Sequence, residues 1–272
     1  MSSAHRGSPP GQAHRAESWS TAITATTDER VYVRGVALDE AIGRESFPAM
    51  LLRLWRGDAA TEDEAELLGA CLVASVDHGP LSPSALVVRT IASTRAAPMS
   101  GLAGGILAFG ELHGAVVSRA MRVLATAPPD GDLDAWATHV FETERAAGRR
   151  LPGIGHRWHH SDRRAERLLE VASARSGGRL QDAVRALAAR VSQHTGTVVP
   201  VNIDGALAVA LTSLRLDPAY GDFLFAIARS FGLAAHYVEE QARERPMRTI
   251  DPTAADYDGV AIPGFDTQEA DE

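Results

Sequence analysis

From about residue 46 onward, apolar residues recur three and four positions apart, the spacing that lines one face of an α-helix. Capping signals divide this pattern into separate elements. Ser46 with Pro48 opens a helix that Gly57 ends after "AMLLRLWR", and Thr61 with Glu64 forms a capping box ahead of "AELLGACLVASV". "DHGP" at 77–80 breaks that second helix, and Ser82 with Pro83 begins a third through "SALVVRTIAST". Asp132 caps "LDAWATHVFETERAA" ahead of Gly148, and Ser161 or Asp162 caps "RRAERLLEVA". "LQDAVRALAARV" and "GDFLFAIARSFGLAAHYVEEQA" repeat the helical spacing. The exception lies upstream: "STAITATTDERVYVRG" (20–35) alternates, with Asp28 and Glu29 between two β-branched runs, and predicts one small hairpin. The fold class is mostly α, with a β-hairpin near the N-terminus.

The segments outside this pattern differ in composition. Residues 1–28 are rich in Ser, Ala, Gly, Pro and Thr and have no apolar core of a signal peptide, so they read as a disordered leader running into the hairpin. The pattern fades beyond "RERP" at 243–246, and 251–272 reads as an acidic tail. "APMSGLAGGILAFGELHGAVV" (97–117) is the most membrane-like stretch, but its glycines, Glu111 and His113 suit closely packed helices better than a span.

Charge and composition narrow the chemistry. A formal charge of −8 opposes a nucleic-acid backbone as principal ligand. All 27 basic residues are arginine, so classes that need an active-site lysine amine are excluded: Schiff-base aldolases, pyridoxal-phosphate enzymes and P-loop nucleotidases. The one cysteine, Cys71, lies in an apolar run, which predicts a core residue in a reducing, cytoplasmic setting.

"RRLPGIGHRWHHSDRRAERLLEVA" (149–172) places His156, His159 and His160 within five positions. A metal site would need His156 and His160 on one helical face, yet "PGIG" precludes regular helix before His156 and the next cap follows His160. We therefore expect no metal here, with His159 and His160 as solvated loop residues. His156 differs, because Pro152, Gly153 and Gly155 let a ligand approach the backbone next to it. "VDHGPLSPSALVVR", "FGELHGAVV" and "VPVNIDGALA" likewise place His or Asp beside glycine at breaks in helical pattern.

In this order the motifs resemble those of the citrate synthase superfamily, particularly its short citrate synthase-like or citryl-CoA lyase members. "GELHGA" is similar to the family's "GPLHGGA", "GIGHRWHHSDRRA" to "GFGHRVYKTDPRA", and "VNIDGALA" to "NVDF" or "NVDGA". The resemblance implies a two-domain helical fold: a large domain of 29–115 and 216–250, a small domain of 116–215, and a homodimer with shared active sites. It implies that His113 donates to the thioester carbonyl of acetyl-CoA, Asp204 removes the methyl proton, and His156 polarises the ketone of oxaloacetate. His78, Arg164 and Arg229 resemble ligands of the substrate carboxylates, and Arg245 the arginine that reaches the partner's site. Arg149, Arg150, Leu151, Pro152, Gly153, Ile154 and Gly155 resemble the coenzyme A contact. The implied substrates are acetyl-CoA or citryl-CoA with oxaloacetate, with coenzyme A thioester as co-substrate and no tightly bound cofactor, no nucleic acid and no membrane. Glu111, Ala115, Trp158 and Arg163 depart from the family's pattern. A non-catalytic paralogue that binds acyl-CoA or an oxo acid is the alternative reading.

Overall fold

The computed structural model describes residues 20–155, 161–249, 251, 254, 257, 259 and 260. It divides into two compact units, one up to Ala60 and the other from Thr61.

In the first unit, β1 (Thr24–Thr26), β2 (Val31–Val33) and β3 (Val36–Ala37) form an antiparallel sheet in the order β1-β2-β3. The expected hairpin is β1–β2. The added strand follows a two-residue turn in which Arg34 and Gly35 both have positive φ, +49° and +82°, the geometry that matches strand twist. Arginine is an unusual occupant, and tertiary bonds hold it there: its guanidinium donates to the Leu54 carbonyl at 3.0 and 3.2 Å and to that of Ala22 at 3.1 Å. Helices α1 (Leu38–Ala41) and α2 (Phe47–Arg56) follow. Ser46 caps α2 by accepting from the Ala49 amide, and Gly57, in the left-handed region, ends it.

The second unit is helical: α3 (Glu62–Ser75), α4 (Pro83–Ser93), α5 (Pro98–Leu107), α6 (Val117–Leu124), α7 (Leu133–Ala146), α8 (Arg163–Ser176), α9 (Arg179–Thr195), α10 (Ile203–Ser213) and α11 (Tyr220–Arg243). The capping box at Thr61 and Glu64 is formed, and Asp132 and Asp162 cap α7 and α8. Ser82 stands at the N-cap of α4 but makes no capping bond; its hydroxyl turns back to the Gly79 carbonyl at 3.4 Å.

At the centre lies α10. Ala206 to Leu211 are each no more than 1% exposed, because α3, α6, α8, α9 and α11 all pack on this helix. A helix apolar all round is stable only when enclosed in this way. The glycine-rich α5 lies against α4 and α11, and a Cβ at Gly105 would stand 2.4 Å from Val88 and 2.9 Å from Leu233. Gly101 and Gly104 are as tightly packed, against Tyr237 and Ile91, which explains the glycines of α5. Among the described residues no helix is long and apolar enough to cross a membrane. Cys71 is fully buried, and burial pushes its thiol up to about 12, as expected for a core residue.

Candidate active site

Two segments far apart in sequence are zipped together. Ile154 and Val201 form an antiparallel bridge. The Gly155 amide donates to the Pro200 carbonyl at 2.8 Å, and the Asn202 amide to the Gly153 carbonyl at 3.0 Å. The Asn202 side chain completes the junction. Its Nδ2 donates to the Gly155 carbonyl at 2.7 Å, while its Oδ1 accepts from the amides of Asp204 and Gly205 and so caps α10. The seam admits no side chain: a Cβ at Gly205 would stand 2.5 Å from the Gly153 carbonyl oxygen. The residue before His156 is thereby tied to the residue two before Asp204. His156 itself, with Trp158, His159 and His160, lies outside the described residues, so the expected metal-free loop also falls there.

Asp204 occupies the first turn of α10. The residue is half-buried, and the protein packed around its carboxyl strips much of its hydration. This desolvation pushes the carboxyl up to about 6; the charges of Arg229 and Arg164 oppose the rise, and those of Asp162 and Asp222 add to it. The result is a carboxylate that is a stronger base than an exposed aspartate, next to two cations.

Both arginines are fixed from behind. Arg229, 2% exposed, donates through Nε to the Ser75 carbonyl at 3.1 Å and lies over the Phe225 ring at 4.8 Å. Its Nη1 is buried with no hydrogen-bond partner among the described residues. Burial pulls the guanidinium below its ordinary value, an effect that Arg164 reinforces and that Asp77 and Asp204 counter. Arg164 is forked onto Asp162, Nε to Oδ1 at 3.2 Å and Nη2 to Oδ2 at 3.1 Å. Asp162 is 4% exposed; burial would raise its carboxyl, but Arg164 and the capped amides hold it below the ordinary range. The remaining Arg164 nitrogen, Nη1, donates to His78 Nδ1 at 3.2 Å. Because a guanidinium only donates, this bond leaves the ring proton of His78 on Nε2.

His113 sits in a tight loop in which Gly110 and His113 exchange backbone hydrogen bonds at 2.7 and 2.9 Å. Its Nε2 lies 3.0 Å from Ser84 Oγ, and its ring is 5.4 Å from Phe109. Phe109 meets Phe225 edge-on at 5.6 Å, and Phe225 carries Arg229 on its face. A continuous line of contacts therefore joins His113 to the arginine that Asp204 senses.

Other expected residues stand further along. Arg149 is forked onto Glu144, at 3.0 and 2.9 Å, and Arg119 donates to both Glu144 and the Arg150 carbonyl, the latter at 2.8 Å. The hydrogen bond from Arg149 holds Glu144 well below the usual carboxylate range; burial opposes it and Arg119 assists. Leu151 and Pro152 are buried, whereas Arg149 and Arg150 are exposed. Arg245 is exposed in the segment after α11. The geometry thus gathers Asp204, Arg229, Arg164 and His78, joins His113 to them through aromatic rings, and brings 151–155 alongside.

Motif reading passed over Asn202, Ser84, and the pairing of Asp162 with Arg164. Asn202 carried a signal, an N-cap residue immediately before a helix. Ser84 carried none, being 29 residues from the histidine it meets. The described residues include no cluster of three or more metal-ligating side chains.

The chain as a whole is similar to known proteins. The family described as "Citrate synthase, C-terminal domain" matches residues 13–250. A probable ATP-citrate synthase of Caenorhabditis elegans is 24% identical over 85% of this chain, and citrate synthase 2 of Bacillus subtilis is 25% identical over 75%. The chain spans only 22% and 53% of those two proteins. Among solved structures, the citryl-CoA lyase of Hydrogenobacter thermophilus superposes with a TM-score of 0.80 at 29% identity, over 91% of this chain and 96% of that one. With a family match that runs through both zipped segments and every helix of the site, the chain belongs to the citrate synthase family.

Proposed function

We propose that the protein breaks and forms the carbon–carbon bond between the acetyl unit of a coenzyme A thioester and oxaloacetate, with citryl-CoA cleavage as the working direction. One observation carries this reading: a half-buried carboxyl pushed up to about 6, Asp204, beside two fixed arginines and zipped to the glycine loop that leads into His156. The near full-length likeness to a citryl-CoA lyase supports the direction.

In cleavage, His156 takes the proton from the citryl hydroxyl. As that oxygen becomes the ketone of oxaloacetate, the carbon–carbon bond breaks and its electrons pass into the thioester carbonyl. His113, oriented by Ser84, donates to the developing enol oxygen. Asp204 then delivers its proton to the methylene carbon, giving acetyl-CoA. A carboxyl raised toward neutrality suits this step, because general acids and bases work best near the ambient pH. Arg229, Arg164 and His78 Nε2 hold the carboxylates of the oxaloacetate portion, and forked guanidiniums fix their orientation as well as their charge. Synthesis runs the same steps backwards.

Residues 149–155 contact the coenzyme A, with exposed Arg149 and Arg150 facing its phosphates. The domain of 116–215 closes on the large domain over substrate, excluding water. The working form is a cytoplasmic homodimer without a tightly bound cofactor, in which Arg245 completes the partner's site. Exposed apolar side chains on α11 and α5, among them Phe231, Val238, Met99 and Leu107, support such a partner. The test is to supply purified protein with citryl-CoA, and separately with acetyl-CoA and oxaloacetate, while following oxaloacetate and free coenzyme A. Inactivity in both directions would refute the reading.

A further inference from the structure

Asp77 and His236 lie behind the anion-binding cluster, 159 residues apart in sequence. The Asp77 carboxylate accepts from the Gly79 amide at 2.9 Å, from the His78 amide, and from His236 Nε2 at 3.1 Å. It therefore wraps the backbone that presents His78, whose ring meets Arg164, and its charge also acts on Arg229. Burial alone would raise the Asp77 carboxyl, but these three donors outweigh it and hold the group below the ordinary range.

The ring of His236 is itself oriented. Arg89 Nη1 approaches its Nδ1 at 3.4 Å, and Arg89 is held by Glu240 at 2.8 Å and Glu239 at 3.1 Å. A guanidinium can only donate, so Nδ1 accepts and Nε2 carries the proton that Asp77 receives. The side chains of His236 and Arg89 are each 12% exposed. Gly232, one turn earlier on α11, lets that helix come close enough, since a Cβ there would stand 2.4 Å from the Val76 carbonyl oxygen and 3.0 Å from Asp77 Oδ1.

We propose that Asp77 and His236 are positioning residues for recognition of the substrate's carboxylates: His236 orients Asp77, and Asp77 fixes both the His78 turn and the charge behind Arg229, without either touching substrate. This inference rests on the reading of the site given above. It predicts an effect on oxaloacetate binding with little effect on the chemical step.

The experiment compares wild type with H236A, H236Q and D77N by two readouts: KM and kcat for oxaloacetate in the synthesis direction, and backbone hydrogen exchange of peptides covering 76–81. In H236A, KM is expected to rise about tenfold, the equivalent of one lost positioning bond, with kcat within about threefold and faster exchange at 78 and 79. H236Q retains an N–H for Asp77 and is expected to recover most of the affinity. D77N keeps side-chain size but removes the charge, and is expected to raise KM even if H236A fails to fold. Folded H236A or D77N with unchanged exchange and unchanged KM would overturn the proposal. A wild type without activity would instead overturn the proposed function, and exchange at 78 and 79 would still decide whether Asp77 and His236 hold the turn.

Discussion

The side-chain amide of Asn202 donates to the carbonyl of Gly155 at 2.7 Å, and through this bond the glycine loop that leads into His156 is fixed to the helix that begins at Asp204. One residue serves both elements, because the same side chain caps α10 through Oδ1. Asn202→Ala removes the cap and the strap together. It is expected to cost about 2 kcal/mol of stability, roughly one each for the cap and the hydrogen bond, with at least about a tenfold loss in kcat as the loop loses register. Asn202→Asp can still cap but sets a carboxylate against the Gly155 carbonyl. Urea unfolding and steady-state rates should then separate, with stability largely kept and activity lost.

The seam beside that bond leaves no room for a methyl group. Gly205→Ala would place its Cβ 2.5 Å from the Gly153 carbonyl oxygen and 2.9 Å from Val201 Cγ1, and the first of these is backbone that no rotamer change can clear. The expected cost is at least about 2 kcal/mol, as in overpacked cores, measured by urea unfolding. Wild-type stability in this variant would mean that the two segments are not in contact.

Asp204 should show its burial through pH. Its carboxyl rises from 3.8 to about 6 on folding, so the folded protein binds this proton more tightly than the unfolded chain. The resulting stabilisation is complete below about pH 4 and is lost as pH rises through about 6; at pH 8 the ionised group costs up to about 3 kcal/mol. Asp204→Asn carries no charge to bury. Relative to wild type it is expected to gain stability between pH 4 and pH 8, while its rate falls at least about a hundredfold. A stability difference that does not change with pH would contradict the assignment.

Ser84 tests the orientation of His113. Ser84→Ala removes the hydroxyl 3.0 Å from Nε2 and leaves the ring held by Phe109. The expected result is about a tenfold fall in kcat, the worth of one hydrogen bond, with KM for oxaloacetate unchanged, because the arginines that hold it are untouched.

How much of this was legible in the sequence depends on the range over which the physics acts. Caps are local, so Ser46, Thr61, Asp132, Asp162 and Gly57 marked helix ends correctly. The third strand was not legible, because the left-handed Arg34 is held by carbonyls at Leu54 and Ala22 that no local pattern reveals. Ser82 looked like a cap, but its hydroxyl turns to Gly79. Motif order pointed to His113, Asp204, Arg164 and Arg229, since each carries its signature in its immediate neighbours. Other contacts were hidden for the opposite reason: Ser84 lies 29 residues from His113 and His236 lies 159 from Asp77, and only packing brings them together.

The most direct test of the central claim is to mix the purified protein with citryl-CoA and measure oxaloacetate and acetyl-CoA release, with Asp204→Asn alongside. The expected result is equal amounts of the two products from wild type and at least about a hundredfold slower release from the variant. No release by wild type in either direction, or equal rates in both proteins, would contradict the claim that Asp204 moves the proton of a carbon–carbon bond reaction.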